Sequence, residues 1–114
     1  MAISEFAAFD VVVVPFPYTD RQTEKRRPAV VISAPALQAR YGLVWLMMIT
    51  SADNPPWDCD MAVSDLTAAG LPAPSVIRPA KIATVDASRI LRRAGHLPER
   101  DIAAVKKMLV TLTG

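Results

Sequence analysis

Cysteine is nearly absent: Cys59 is the sole thiol in 114 residues, so no internal disulfide can staple the chain, which suits a reducing cytoplasm. Histidine is equally scarce. His96 alone cannot supply the paired imidazoles of one kind of acid–base ribonuclease, and in Ala94-Gly95-His96-Leu97, just ahead of a helix signal, it reads as a turn or packing residue. Asp58-Cys59-Asp60 offers three potential ligands, yet neighbouring strand positions face opposite ways and no second Cys or His has ligand spacing, so no metal site is expected. Gly42, Gly70, Gly95 and Gly114 are scattered and form no phosphate loop, which argues against nucleotide triphosphate chemistry. The longest apolar run, Leu43 to Ile49, has seven residues. A membrane helix needs roughly 18–20. The first residues, Met1-Ala2-Ile3-Ser4-Glu5, carry no basic start of a secretory signal, and a cytoplasmic protein that does not enter membranes is expected.

What is present is apolar side chain in short pieces. Hydrophobic residues make up 52% of the chain, enough for a packed core, and the length fits one domain over residues 1–114. Ten prolines punctuate the apolar stretches, the pattern of a small β-rich fold with many turns. Val11 to Val14 predicts a strand buried on both faces, and Ala29 to Ser33 a second one. The polar residues between them, 18–27, read as a long exposed loop. Pro35 to Arg40 predicts a helical turn ending near Gly42, and Leu43 to Ser51 the central strand. Met61 to Val63 reads as an edge strand and Asp65 to Ala69 as a turn of helix closed by Gly70. Ser75 to Arg78 and Lys81 to Val85 read as two strand pieces broken by Pro79. From Pro98, Ile102, Val105, Leu109 and Leu112 recur at helical spacing, so one face of a C-terminal helix is expected to be buried. The expected architecture is mainly β (α+β): a small, strongly bent antiparallel sheet or barrel with short helices and a C-terminal helix.

Charge is uneven along the chain although the net is only +2. Residues 1–40 sum to +1, residues 41–77 to −4 and residues 78–114 to +5. A fold that sets Arg21 to Arg27 beside Arg78 and Lys81 would build a basic face that the total hides. Arg27 precedes Pro28 at the rigid end of an exposed element, Thr50 and Ser51 end the most apolar strand, and Arg78 precedes another proline. A guanidinium offers phosphate a planar fork of donors and a hydroxyl adds one more, so these residues together suit a phosphodiester.

At these residues the sequence resembles the MazF/PemK family of toxin endoribonucleases, the toxic halves of type II toxin–antitoxin pairs. The resemblance runs through residues 9–20, then Lys25-Arg26-Arg27-Pro28-Ala29-Val30-Val31-Ile32-Ser33 and Ile49-Thr50-Ser51. It continues with Ala69-Gly70-Leu71, Pro74-Ser75-Val76-Ile77-Arg78, Lys81-Ile82-Ala83-Thr84-Val85-Asp86 and residues 101–106, and the order of these strings is what makes it specific. The resemblance implies an SH3-like β-barrel, a homodimer, a small cognate antitoxin protein as partner, and cleavage of single-stranded RNA, as in mRNA, with no cofactor or metal. It puts the catalytic arginine on Arg27 and the catalytic hydroxyl on Thr50, and a strand-end arginine on Arg78. RNA contacts are expected from Tyr18, Arg21, Lys25, Arg26, Ser51, Arg78 and Lys81. Some members carry an acid two positions after that last arginine, where this chain has Ala80. That departure keeps two other readings open: a non-enzymatic toxin of the same barrel that binds a protein such as DNA gyrase, and a catalytically degenerate relative.

Overall fold

The computed structural model of the protein describes residues 5–17 and 24–114. Six strands form one antiparallel sheet: β1 (Asp10–Pro17), β2 (Glu24–Val31), β3 (Leu43–Ser51), β4 (Met61–Ala62), β5 (Ser75–Asp86) and β6 (Arg92–His96), in the order β4-β5-β3-β2-β1-β6. Helices α1 (Pro35–Tyr41), α2 (Leu66–Ala69) and α3 (Glu99–Thr113) complete the described elements with a 3-10 turn at Ala87–Arg89.

Both faces of the sheet are covered, which explains why its strands read as continuous apolar runs rather than as alternations. One face carries Val11, Val30, Met47, Ile49 and Ile77 beneath Val105 of α3 and Ala69 of α2. The other carries Val12, Val14, Ala29, Val31, Leu46 and Met48 with Phe6 and Ala87. Each buried side chain of this size contributes about 1.5–3 kcal/mol relative to exposure. The expected mainly-β architecture with a C-terminal helix is what forms, and β3 lies inside the sheet between β5 and β2.

Four differences from the sequence reading have physical causes. The polar segment 18–27 is not loop to its end, because β2 begins at Glu24 and pairs Arg26 with Pro15 and Arg27 with Val14. Pairing with a strongly apolar neighbour overrides local polarity. β5 does not break at Pro79: it runs for 12 residues, and its register against β3 shifts between Met47 and Met48, so that Pro79, Ala80 and Lys81 form a bulge where proline needs no ladder donor. β6 was absent from the periodicity altogether, since Arg92-Arg93-Ala94-Gly95-His96 has no apolar alternation. Finally, Leu112 is exposed: the buried stripe of α3 is carried by Ile102, Val105 and Leu109 and ends there.

Two buried carboxylates tie distant segments together. Asp10 takes a bond from Arg93 Nε at 2.8 Å, faces His96 Nδ1 at 3.0 Å and accepts the Ala7 N–H at 2.9 Å. Burial alone would raise its pKa, but these donors prevail and hold the carboxyl below its ordinary value. His96 is thus a strand-end partner of Asp10 rather than a turn residue. Asp101 of α3, also buried, accepts the Ser64 N–H at 2.9 Å and so docks the helix onto the segment before α2.

Candidate nucleic-acid interface

The ladder registers place the candidate residues in rows. Val14 pairs with Arg27 and Thr50 with Val76, while the ladder between β2 and β3 spans Ala29 to Val31 against Met48 to Leu46. The next row inward is Val12, Ala29, Met48 and Arg78. Alternation in a strand then gives Arg27, Thr50 and Arg78 one side of the sheet.

Arg27 and Thr50 line the same groove. Its volume is about 220 Å³, with Lys25, Arg26, Arg27 and Pro28 along β2, Ile49, Thr50 and Ser51 at the end of β3, and the segment from Leu71 to Ser75 opposite. Among the described residues no carboxylate lines it. The opposite wall is fixed by the Ala52 N–H donating to Pro74 O at 3.1 Å and by Ser75 Oγ donating to Ala73 O at 2.8 Å. The Asn54 side-chain amide donates to Thr50 Oγ1. Ser51 Oγ accepts the Asp53 N–H at 3.1 Å, so that hydroxyl is partly committed to the turn that follows β3.

Arg78 has a different setting. Its Nε and Nη2 donate to the two carboxylate oxygens of Asp60, both at 2.9 Å, and Nη2 also reaches Pro55 O at 3.0 Å. The guanidinium lies 4.3 Å from the centre of the Trp57 ring. Its side chain is only 10% exposed. The Asp60 carboxyl is held below its ordinary value chiefly by the bond from Arg78, and the Arg78 guanidinium is pushed further up by the same bond. Arg78 therefore clamps the segment between β3 and β4 and does not line the groove of Arg27 and Thr50. Lys81 stands exposed in the β5 bulge and lines no part of that groove either. Tyr18 and Arg21 lie outside the described residues.

The groove runs on into a larger recess of about 420 Å³ that shares Arg26, Arg27, Pro28, Leu71 and Pro72 with it and adds Val13, Gly70, Leu91, Arg92 and Ala94. Leu91, Arg92 and Asn54 were not singled out from the sequence. Asn54 had a signal, the turn-forming string Ser51-Ala52-Asp53-Asn54-Pro55, whereas Leu91 and Arg92 enter the site only through strand pairing that periodicity does not reveal. Among the described residues no group of three or more His, Cys, Asp or Glu side chains is placed to hold a metal ion, and no helix is long and apolar enough to cross a membrane.

A curled antiparallel sheet with short helices and a C-terminal helix is the fold of the MazF toxins. The chain superposes on MazF in a MazE–MazF crystal structure from Deinococcus radiodurans with a TM-score of 0.78 and 23% identity, covering 97% of each chain. The Mycobacterium tuberculosis toxin MazF-mt6 gives 0.70 and 18%, covering 90% of this chain and 93% of that one. A mycobacterial endoribonuclease solved in complex with its cognate antitoxin gives 0.74 and 15%, with 96% and 94% covered. No curated protein matches the chain at a significant level. Residues 7–113 match the model of the PemK-like, MazF-like toxins of type II toxin–antitoxin systems, and the chain belongs to that family.

Proposed function

We propose that the protein is an endoribonuclease that cuts single-stranded RNA without a metal ion, and that it halts growth by destroying mRNA. The observation that carries this reading is the groove that Arg27 and Thr50 both line, with Lys25, Arg26 and Ser51 beside them. The ribose 2′-hydroxyl oxygen attacks the adjacent phosphorus, its proton passes to water, and the bond to the 5′-oxygen breaks. That oxygen takes up a proton, leaving a 2′,3′-cyclic phosphate and a free 5′-hydroxyl. Charge builds on the phosphorane oxygens, where Arg27 and the Thr50 hydroxyl supply fixed donors. A guanidinium, which holds its proton too tightly to serve as a base, acts here as an electrostatic group. Ala80, exposed in the bulge, leaves no acid at the position used by some relatives, and among the described residues the groove offers none in its place.

The test is RNA end mapping in EDTA. Unstructured RNA should acquire cyclic-phosphate and 5′-hydroxyl ends, and Arg27→Ala should slow this by about 10²–10³-fold, as loss of a transition-state donor does elsewhere. Growth arrest that survives Arg27→Ala, with RNA left intact, would overturn the reading and favour a protein target. The family and the basic groove also point to a small antitoxin whose acidic, apolar segment covers Lys25 to Arg27, and to a homodimer. Copurification with a host peptide and sedimentation at twice the 12.4 kDa chain mass test these in turn.

A further inference from the structure

The segment between β3 and β4, residues 52–60, is irregular, yet it is held at both ends and in the middle. At its start the Ala52 N–H donates to Pro74 O and the Asn54 N–H to Ser51 O, both at 3.1 Å. At its end the Asp60 N–H donates to Trp57 O at 3.0 Å and the Trp57 N–H to Asp60 Oδ2 at 2.9 Å, which closes a turn. The middle, Pro55-Pro56, has no N–H with which to anchor itself. Arg78 supplies the anchor. Its Nη2 donates to Pro55 O while the fork of Nε and Nη2 grips Asp60 and the guanidinium packs on the Trp57 ring.

Stability alone does not call for this arrangement, because apolar side chains of similar volume often serve as well in place of a buried ion pair. What a fork of donors adds is a fixed direction. That direction can be followed along the chain. The ring of Pro55 fixes its own φ, and the residue before a proline is confined to extended backbone, so holding the Pro55 carbonyl leaves Asn54 few free torsions. The Asn54 side-chain amide donates to Thr50 Oγ1. With one lone pair so occupied, the Thr50 hydroxyl has fewer directions in which to donate its proton, and a donor oriented in advance needs no reorganisation when charge develops beside it.

We propose that Asp60 and Arg78 are positioning residues for Thr50: together they hold Pro55, and through it the Asn54 amide, on the Thr50 hydroxyl. The inference rests on the ribonuclease reading for what Thr50 does. It goes beyond that reading in placing control of the hydroxyl in an ion pair that lines no part of the groove. The competing role is direct contact of Arg78 with the substrate. Against it stand the 10% exposure of the Arg78 side chain and the commitment of both Nε and Nη2 to Asp60 and Pro55.

The test uses the full chain and single-turnover cleavage of a long unstructured RNA in EDTA with enzyme in excess, which gives a maximal rate and a half-saturating enzyme concentration. Two variants release the clamp. Arg78→Lys keeps the charge but loses the fork. Arg78→Met combined with Asp60→Asn removes the pair as a unit and leaves no buried charge uncompensated, which protects the fold. Both should lower the maximal rate by about two- to ten-fold, the worth of one hydrogen bond, and leave the half-saturating concentration in place. In an Asn54→Ala background neither should slow the reaction further. A second readout is the ¹⁵N–¹H resonances of the Asn54 side-chain amide, which should be shifted in the parent and move to free-amide values in both variants. Circular dichroism and melting show that the sheet is kept. Parental rates in both variants overturn the proposal, and so does an undiminished rate in Arg78→Lys alone, which would make charge rather than the fork the requirement. Losses that add to that of Asn54→Ala, or a raised half-saturating concentration, overturn it too, by putting Arg78 on the substrate itself. If the parent cuts RNA and the Asn54 resonances stay in place in the variants, the positioning role fails while the ribonuclease reading stands. If the resonances move but the parent cuts no RNA, the hold on Asn54 and Thr50 stands and the reading fails. Unmoved resonances with no cleavage overturn both.

Discussion

The hydroxyl of Thr50 can donate one proton and accept two, and the amide of Asn54 occupies one of its lone pairs. The Thr50 proton then points away from Asn54 and is left for another acceptor. Replacing Asn54 by Asp reverses this polarity, because a carboxylate accepts the Thr50 proton instead. Asn54→Asp should therefore lower kcat by about ten-fold or more, and Asn54→Ala by only a few-fold, in keeping with the larger cost of misdirecting a donor than of losing its orienting neighbour. In a Thr50→Val background neither change should have a further effect on kcat, and a double-mutant cycle reads this directly. Arginine identity shows the limit of residue-scale reading. Arg27 and Arg78 look alike in the sequence, each beside a proline, but one reaches the groove and the other is locked onto Asp60 and Trp57. The partner that decides this, Asp60, stands 18 positions away and comes into register only when β4 pairs with β5.

Whole elements were legible where burial dictated their composition. β3, with seven apolar residues in a row, and the stripe of α3 announce themselves because each must meet a core. The start of β2 and all of β6 do not, because Lys25 to Arg27 and Arg92 line the two cavities while Arg93 and His96 bind Asp10. The contact between α2 and β6 is the element on which the recess depends, and it tolerates no side chain at either glycine. Gly95→Ala would drive a methyl into the backbone of α2, and the expected loss is about 1–3 kcal/mol of folding stability, as for other overpacked sites. Gly70→Ala should lose more, since its φ of +73° adds about 1 kcal/mol of left-handed strain to the clash. Urea denaturation of the two variants measures both, and equal stability to the parent would mean that α2 is not seated on β6. By contrast Gly42, which also has a positive φ but open space around it, should show the strain alone.

For the molecule as a whole, acid is the revealing perturbant. Asp10 and Asp60 both have pKa values below the ordinary 3.8 in the folded state. A lowered folded pKa means that the unfolded chain takes up protons first, so the stabilisation is present above 3.8 and is lost as pH falls through the folded values. The free energy of unfolding should hold steady down to about pH 5 and decline below it, and this decline should be shallower in Asp10→Asn and Asp60→Asn than in the parent. Chemical denaturation across that range checks the sign. The bonds from Arg93 and His96 to Asp10 span 83 and 86 residues. At about 5–20 residues per second, a ribosome needs roughly 4–17 s to travel from Asp10 to Arg93. Through that interval β1 lacks its outer neighbour, Gly70 has no Ala94 to rest on, and the recess between Leu71 and Arg92 does not exist. A chain built on this topology completes the wall of its larger recess only once Arg92 and Ala94 have been made.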